Sequence, residues 1–294
     1  MGKERELNIG IVTDTCALYP PDKGEQLGIK RAHLRVEFGT ESFADETEIT
    51  PSSFVEKLKQ IRVHPKSSAA PPGELLEIYR QLSRACRKIL SVHLPSFASG
   101  TLSSAKVAAE QFREESETEV EVIDARQLLG TQGFLVLEAA RLARQGVQDY
   151  HILERIRDLS KKCLTVAMGI DLDFVEKGGR IPKPIIAILN RGTQFLHIIP
   201  MISIREATKG LDIRPVLPPP RTEDQAFKKF LQIAKKEGKL KKVAVMHFRA
   251  EERAKRLQKE LEEALGGNIP ILEAPCAVGT HSGLDTVGFS LLKN

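Results

Sequence analysis

The chain has 294 residues, of which 41% are apolar and 28% charged; this length favours two domains, and this balance excludes disordered, collagen-like and disulfide-scaffold proteins. The net charge is only +5, and aromatic residues make up 5% with no Trp, so nucleic acid is not an expected partner. No stretch approaches the roughly 18–20 apolar residues of a membrane span, and the charged start MGKERELN is unlike a signal peptide.

The first half of the chain alternates apolar runs with helical patterns, which is typical of parallel βα units. We predict strands at 7–12, 34–38, 88–94 and 119–124. Helices are predicted at 50–61, 74–87, 102–115 and 131–145, the first starting at Thr50-Pro51, a favourable cap followed by a favourable first position. Residues 65–73 are too rich in Pro and small side chains for a regular element and are predicted to form a loop.

Three loops rich in small polar residues follow the ends of predicted parallel strands, at 13–15, 96–101 and 124–130. Ligands bind at this edge of open α/β sheets. Ser99 also precedes a helix, whose free amides favour an anion. These loops therefore predict anion capture, although at any single loop Ser and Thr could simply cap a helix.

From about residue 150 the pattern changes, because strands follow one another directly as well as through helices. A linker helix is predicted at 149–162, and further helices at 182–189, 221–236 and 251–265. Strands are predicted at 163–170, 195–204, 213–217, 243–247, 269–273 and after 288. A turn is predicted at 177–180 and a loop at 279–288. We therefore predict an α/β fold of two domains. An N-terminal parallel-sheet α/β/α domain would span 1–150, and a C-terminal α/β domain with a mixed sheet would span 151–294.

Common metal and nucleotide motifs are missing from the sequence. There is no HExxH, no GxxxxGK[ST] and no GxGxxG. The four cysteines are far apart without a CxxC pair, as in reduced thiols of a cytoplasmic protein, and no metal or cofactor is expected. The basic excess falls in 221–263, which holds 13 basic and 8 acidic residues. A solvated helix face is the favoured interpretation, and a docking patch for an acidic partner is the alternative.

His281 lies in the segment Gly279–Gly283, at the place where a GxSxG motif would have its Ser, so that hydrolase motif is not matched. Ser99, His281 and Asp124 nevertheless supply the residue types of a catalytic triad. His281 is therefore either a polar loop side chain or one that faces a ligand.

Seven short motifs, in order and spacing, resemble the DegV family over nearly the full length. They are IVTDT at 11–15, FG at 38–39 with Asp45, Ile49-Thr50 and Phe54, SSAAPPGE at 67–74, SGTLSSA at 99–105, VIDA at 122–125, KGGRI at 177–181 and GTHSG at 279–283. Members of this family are fatty-acid-binding proteins with the EDD fold that serve as acyl-carrier subunits of bacterial fatty acid kinase.

The resemblance implies that a lipid carboxylate lies between the two domains, held by Ser99 and Ser67 with His281 nearby, while the acyl tail runs into the second domain. Arg180 is implied close to the kinase docking region, as a candidate contact to the partner or to phosphate. The full ligand-binding set that it implies is Ser67, Ser68, Ser99, Gly100, Thr101 and His281.

Some positions differ from the family pattern. Ser67 stands where Thr is usual, Ala69 and Ala70 stand where Gln and Pro are usual, Leu102 replaces Tyr, and Leu284 falls in a segment usually richer in Gly and Pro. The hydroxyl at position 67 is retained, so contact with a carboxylate is still expected.

We therefore expect a cytoplasmic carrier that binds a long-chain fatty acid and presents its carboxylate to a separate ATP-dependent kinase for acyl-phosphate formation. The carrier itself would catalyse nothing, would use no cofactor and would touch a membrane at most transiently. Two alternatives stay open from the sequence: a serine-type esterase acting through Ser99, and a lipid-sensing regulator without a kinase partner.

Overall fold

The computed structural model of the protein describes residues 9–61, 63–208 and 210–294. The elements up to residue 160 are β1 (Ile9–Asp14), α1 (Pro21–Leu27), β2 (Lys30–Ala32), β3 (Arg35–Phe38), β4 (Glu41–Ala44), α2 (Pro51–Gln60), β5 (Lys66–Ser68), α3 (Pro72–Ser83), β6 (Lys88–His93), α4 (Thr101–Arg113), β7 (Glu119–Asp124), α5 (Leu129–Arg144) and α6 (Asp149–Ser160). The elements that follow are β8 (Cys163–Met168), α7 (Leu172–Gly178), α8 (Lys183–Leu196), β9 (Met201–Ala207), β10 (Gly210–Pro215), α9 (Glu223–Lys236), β11 (Leu240–Phe248), α10 (Glu251–Leu265), β12 (Ile271–Glu273), α11 (Cys276–Ser282) and β13 (Thr286–Lys293).

A parallel sheet with the strand order β2-β1-β6-β7 forms the first layer. Every residue of β1 is buried, because helices cover both faces of the sheet. Helices α3 and α4 pack on one face around Tyr79 and Phe112, and α5 packs on the other. The carboxyl ends of β1, β6 and β7 therefore meet at one edge, which places their following loops close together.

A separate mixed sheet has the strand order β10-β9-β8-β13-β11-β12. Its neighbouring strands are antiparallel except for β11 and β12. Helices α9 and α10 cover one face around Phe227, Phe230 and Phe289. Helices α7 and α8 pack over β9 and enclose a further apolar group, called the α8 cluster here: Ile170, Val175, Ile186, Leu189, Ile202 and Ile204. The predicted combination of a parallel sheet and a mixed sheet is confirmed.

A small antiparallel sheet, β4-β3-β5, completes the architecture. Strand β5 pairs with β3 so that Ser67 lies opposite Val36. Helix α2 follows this sheet and starts as predicted, because Thr50 and Ser53 form a reciprocal cap and Pro51 occupies the first turn. The small sheet thus fixes Ser67 within a hydrogen-bonded strand.

Helix α5 lies between the two large sheets and contacts β1, β8 and β13. Two glycines make this close approach possible. A Cβ atom on Gly133 would lie 1.8 Å from the carbonyl oxygen of Leu18, and one on Gly130 would lie 2.8 Å from Cβ of Ser290. The domain boundary at residue 150 stays a prediction, since α5 precedes it and packs against both sheets.

The structure corrects the predicted second strand of the parallel sheet. The strand predicted at 34–38 exists as β3, but it belongs to the small sheet. The parallel sheet instead uses β2, whose three residues are too few to show a periodic pattern. Residues 7 and 8 of the first predicted strand lie outside the described residues.

Four other predictions from sequence are corrected. Residues 65–73 include β5 and the start of α3 at Pro72, because pairing with β3 orders the first part and proline is tolerated in a first helical turn. The turn predicted at 177–180 is the end of α7, which Asp171 caps and left-handed Gly179 terminates. The strand predicted at 195–204 begins only at Met201, since α8 extends further than expected. The loop predicted at 279–288 includes the end of α11.

Candidate functional site

A cavity of about 130 Å³ lies where the loops at the edge of the parallel sheet meet α11 and the end of α7. Four polar side chains line it: Ser67, Ser99, Arg180 and His281. The remaining lining residues are Cys16, Leu34, Leu94, Ala98, Leu128, Leu129, Ala277 and Val278. The cavity therefore combines a small polar group with a largely apolar wall, and residues from both halves of the chain contribute.

Ser67 and His281 are brought together from distant parts of the sequence. The hydroxyl oxygen of Ser67 lies 2.7 Å from Nε2 of His281. Strand β5 holds the serine, and α11 carries the histidine. The contact defines one polar side of the cavity.

The imidazole of His281 is neutral at physiological pH in this environment. Burial, followed by the positive charge of Arg180 and the neighbouring His64, lowers the pKa of His281 to about 4, with a backbone contact from Gly178 acting in the opposite direction. In the part of the chain that the structure describes, Nδ1 of His281 has no hydrogen-bond partner within bonding geometry. The ring can therefore present Nε2 to the cavity as either an acceptor or a donor, depending on its tautomer.

Ser99 lies in the loop that leads from β6 into α4 and also lines the cavity. Its side chain is buried, with 8% of the residue exposed. The hydroxyl oxygen accepts a hydrogen bond from the Thr101 backbone N–H at 3.2 Å and lies 2.9 Å from the Thr101 hydroxyl. Ser99 is thus held at the start of a helix, where an anion is favoured.

Arg180 is exposed at the rim of the cavity. It follows Gly179, whose left-handed conformation ends α7. Its charge influences His281, so the guanidinium lies near the polar side of the cavity. It is the one cation among the lining residues that the structure describes.

Three of the sequence-predicted ligand residues do not line this cavity. The hydroxyl of Ser68 donates to the carboxylate of Glu37 at 2.7 Å, because alternate residues of β5 point in opposite directions. Gly100 is exposed. Thr101 is fully buried, and its hydroxyl oxygen accepts a hydrogen bond from the backbone N–H of Ala70 at 3.3 Å. Ser67, Ser99, His281 and Arg180 are the predicted residues that the structure brings together.

The apolar wall includes residues that the sequence analysis did not single out. Leu128 and Leu129 begin α5, and Leu129 has a left-handed backbone with φ of 58°. Such a conformation is uncommon for a bulky side chain and is often found at functional sites. Leu128 also packs against the α8 cluster, so it connects the cavity to the apolar interior beneath α8. Its apolar character alone gave no signal that separates it from a core residue.

Asp45 was not among the predicted site residues, although it contacts the helix that carries His281. Its carboxylate accepts hydrogen bonds from the backbone N–H groups of Cys276 at 2.9 Å and Ala277 at 2.7 Å. Both donors belong to the first turn of α11. The only sequence signal was its position within one of the DegV-like motifs.

The triad considered from sequence is not assembled. Ser99 bonds to Thr101, and Asp124 accepts a hydrogen bond from the backbone N–H of Arg126 at 2.7 Å. Within the described residues, neither Ser99 nor Asp124 is hydrogen-bonded to His281. A triad requires the base to contact the nucleophile and to be oriented by an acid, so the geometry does not favour the esterase alternative.

The loop at 13–15 does not offer free groups to an anion. The carboxylate of Asp14 accepts hydrogen bonds from the backbone N–H groups of Cys16 at 3.0 Å and Leu94 at 3.1 Å. The Thr13 hydroxyl donates to the carbonyl of Val92 at 2.8 Å. These side chains are fully buried, so they hold the sheet edge together rather than capture a ligand.

Two other features are absent from the described ranges, a cluster of metal-binding side chains and a membrane-spanning helix. Among residues 9–61, 63–208 and 210–294, no three or more His, Cys, Asp or Glu side chains are grouped in a way that could hold a metal ion. Within the same residues, no helix has the length and apolar character needed to span a bilayer.

Sequence comparison places this chain beside one family. A family model described as "Uncharacterised protein, DegV family" matches residues 8–294. Protein DegV from Bacillus subtilis (strain 168) is 28% identical over 295 residues, which covers 96% of this chain and 98% of that protein. A DegV domain-containing protein from Clostridium perfringens is 26% identical and covers 97% and 99% of the two chains.

Solved structures share the fold over nearly the full length. The crystal structure of DegV from Bacillus subtilis, described as a fatty acid binding protein, has a TM-score of 0.80 and 27% identity, and covers 98% of this chain and 99% of that one. A stearic acid-binding protein from Eubacterium ventriosum has a TM-score of 0.84 and 20% identity, with 97% and 98% covered. At 20% identity, the similarity to the Eubacterium ventriosum protein shows a shared fold and nothing more.

Proposed function

The chain belongs to the DegV family, and we propose on this basis that it binds one long-chain fatty acid with the carboxylate in the cavity between Ser67, Ser99 and His281. The observation that carries the proposal is the cavity itself, which is lined by the Ser67 and Ser99 hydroxyls, by His281 in contact with Ser67, and elsewhere mostly by apolar side chains. A carboxylate requires such donors. A fatty acid has one charged head and a long apolar tail, which matches this combination of polar and apolar lining residues.

The carboxylate would be held by hydrogen bonds from the Ser67 and Ser99 hydroxyls. Each hydroxyl already has a partner, His281 for Ser67 and Thr101 for Ser99. Because a hydroxyl donates one hydrogen and accepts others, each serine can turn its hydrogen to the ligand while its oxygen accepts from its present partner. Arg180 at the rim adds a positive charge near the head.

Binding of the anion would raise the pKa of His281. The low pKa of about 4 results first from burial and then from Arg180. A carboxylate placed beside the ring offsets both effects, because an opposite charge favours the protonated imidazole. Protonated His281 then keeps its Nε2 hydrogen bond to the Ser67 oxygen and adds a positive charge beside the head, while the serine hydroxyls hold the carboxylate.

The acyl tail would extend past Leu128 into the α8 cluster, in the predicted C-terminal domain. The cavity of about 130 Å³ is smaller than the roughly 300–1,000 Å³ of typical ligand pockets, so it suits the head rather than the whole molecule. Leu128 lies both on the cavity wall and against the α8 cluster. Tail binding therefore requires α8 to separate from β9, and about 0.8 kcal/mol per buried methylene would offset that opening.

The bound acid would be presented to a separate ATP-dependent kinase. A carboxylate oxygen would attack the γ-phosphorus of ATP held by that partner, the bond from this phosphorus to the β,γ-bridging oxygen would break, and ADP would leave an acyl-phosphate on the carrier. Exposed Arg180 and protonated His281 are the groups suited to stabilise charge on the new phosphate. The carrier supplies no nucleotide site in this scheme and performs no catalysis alone.

A cytoplasmic location is part of the proposal. The four cysteines are all free and buried, and burial raises the pKa of Cys16 in the cavity wall, which keeps its thiol protonated. Free thiols persist in reducing compartments. The postulated kinase would find its ATP in the same compartment.

Mass spectrometry of an organic extract of the purified protein tests the proposal. We expect close to one long-chain fatty acid per chain. Incubation of the loaded protein with ATP alone, followed by hydroxylamine trapping, should yield no acyl hydroxamate. Recovery of no fatty acid, together with no binding of added oleate, would refute the function.

A further inference from the structure

We propose that Asp45 is a positioning residue for the ligand cavity, acting through the helix that carries His281. The proposal deepens the fatty-acid function given above and rests on it. It assigns a role to a side chain that does not line the cavity and that lies 236 positions before His281 in the chain.

The helix α11 lacks a local cap. Pro275 occupies the position before its first residue, and proline provides no side-chain acceptor for the free N–H groups of the first turn. Asp45 supplies the acceptors instead, with Oδ1 bonded to Cys276 and Oδ2 bonded to Ala277. The two oxygens of one carboxylate therefore fix the start of the helix from another part of the fold.

Asp45 is itself held firmly. Its side chain is fully buried, and its backbone N–H donates to the carbonyl of Leu34 at 2.9 Å. Leu34 and Ala277 both line the cavity. Asp45 thus connects two parts of the cavity wall, Leu34 through its backbone and Ala277 through its carboxylate.

A buried carboxylate is costly unless it is well bonded. Burial raises the pKa of Asp45, and the backbone N–H groups of Ala277, Cys276 and Glu46 act against that rise. The charge is therefore stabilised by backbone N–H groups, two of which belong to α11. Any loss of these bonds leaves a buried, poorly solvated group, so the helix and the carboxylate depend on each other.

The position of His281 depends on this anchoring because α11 has only seven residues. His281 is the sixth of them, and its ring packs closely against Gly178, where a Cβ atom would lie 2.4 Å from Nδ1. A shift at the start of such a short helix would move Val278 and His281 together. Both the contact with Ser67 and the burial that lowers the pKa of His281 would change.

Comparison of wild type with Asp45→Asn tests this role. The asparagine keeps one acceptor oxygen but turns an NH₂ donor toward a backbone N–H, so one of the two bonds is lost. We expect the pKa of His281, followed by NMR in the ligand-free protein, to rise from about 4 toward 6.5. We also expect the Kd for oleate, measured by calorimetry, to increase about tenfold.

Glu138→Gln is the matched control. Glu138 is also a buried carboxylate, with Arg141, Arg155 and Lys241 around it, but it does not line the cavity. This variant should lose stability without changing the pKa of His281 or the Kd for oleate. If Asp45→Asn behaves in the same way as Glu138→Gln, the positioning role is wrong and Asp45 serves the fold alone.

A second measurement covers the case in which Asp45→Asn does not fold. In wild type, the amides of Cys276 and Ala277 should exchange with solvent only through the slowest, global opening. Rapid exchange at these two amides would overturn the proposal. If wild type binds no oleate, the fatty-acid function fails, whereas the NMR titration of His281 still decides whether Asp45 positions the ring.

Discussion

Nε2 of His281 lies 2.7 Å from the hydroxyl oxygen of Ser67, although the two residues are 214 positions apart in the chain. The contact joins the small antiparallel sheet to α11 and forms the polar side of the cavity. When Nε2 carries the ring hydrogen, it donates to the Ser67 oxygen, and the serine hydrogen remains available to a bound anion. This pair is therefore the first place at which ligand binding can be tested.

Ser67→Ala should weaken oleate binding by about ten- to a hundredfold, because a hydrogen bond to a carboxylate contributes about 1.5–3 kcal/mol. Ser68→Ala is the matched control, since the adjacent hydroxyl donates to Glu37 and does not line the cavity. Isothermal titration calorimetry on the two variants and wild type provides the comparison. Equal affinities for all three proteins would remove Ser67 from the site.

Ser99→Ala should weaken binding similarly and should also lower the free energy of unfolding by about 1 kcal/mol, because the Ser99 oxygen accepts a hydrogen bond at the start of α4. Ser96→Ala, in the same loop but exposed, should change neither property. Calorimetry and urea denaturation measure the two effects, and an unchanged Kd for Ser99→Ala would contradict its assignment.

His281 should make stability depend on pH. Its pKa in the folded chain is about 4, below the ordinary 6.5, so between these values the unfolded chain binds more protons. Lowering the pH through this range therefore reduces the free energy of unfolding. In His281→Gln this part of the loss should disappear, which urea denaturation at several pH values would detect. His64 and His247 titrate in the same direction, and the difference between wild type and variant cancels their contribution. If the free energy of unfolding depends on pH in the same way in wild type and His281→Gln, the low pKa of His281 is wrong.

Fatty acids of increasing length should bind with increasing affinity. Each methylene that enters the α8 cluster contributes about 0.8 kcal/mol, or about fourfold in Kd. The free-energy cost of moving α8 is the same for every acid long enough to reach the α8 cluster. Among those acids, the binding free energy should therefore improve steadily with each added methylene. A dicarboxylic acid of equal length should bind poorly, because its second charge would be buried without a partner. Affinities that do not depend on length would show that the tail is not buried.

Strongly periodic segments could be predicted closely from the sequence. Strand β7 and helix α10 have the predicted bounds, since each alternates or repeats apolar residues clearly and ends at a defined boundary. Strand β2 could not be predicted, because its three residues are ordered by pairing with β1. Helix α11 was missed because its cap comes from Asp45, far away in the sequence.

The same distinction applies to the candidate site. Ser67, Ser99, Arg180 and His281 belong to recognisable motifs, and the structure places them around one cavity. Leu34, Leu128 and Leu129 could not be identified, because a leucine that faces a cavity has the same sequence signature as one in a core. Their role depends on tertiary packing alone.

Helix α5 begins at the cavity wall and then passes between the two large sheets, with Gly133 against the Leu18 backbone and Gly130 against the Ser290 side chain. We expect this arrangement to oppose a hinge motion of the two large sheets of the kind seen in two-lobed binding proteins. We expect an amphiphile to be admitted by local displacement of the cover formed by α7 and α8, while the rest of the scaffold keeps its shape.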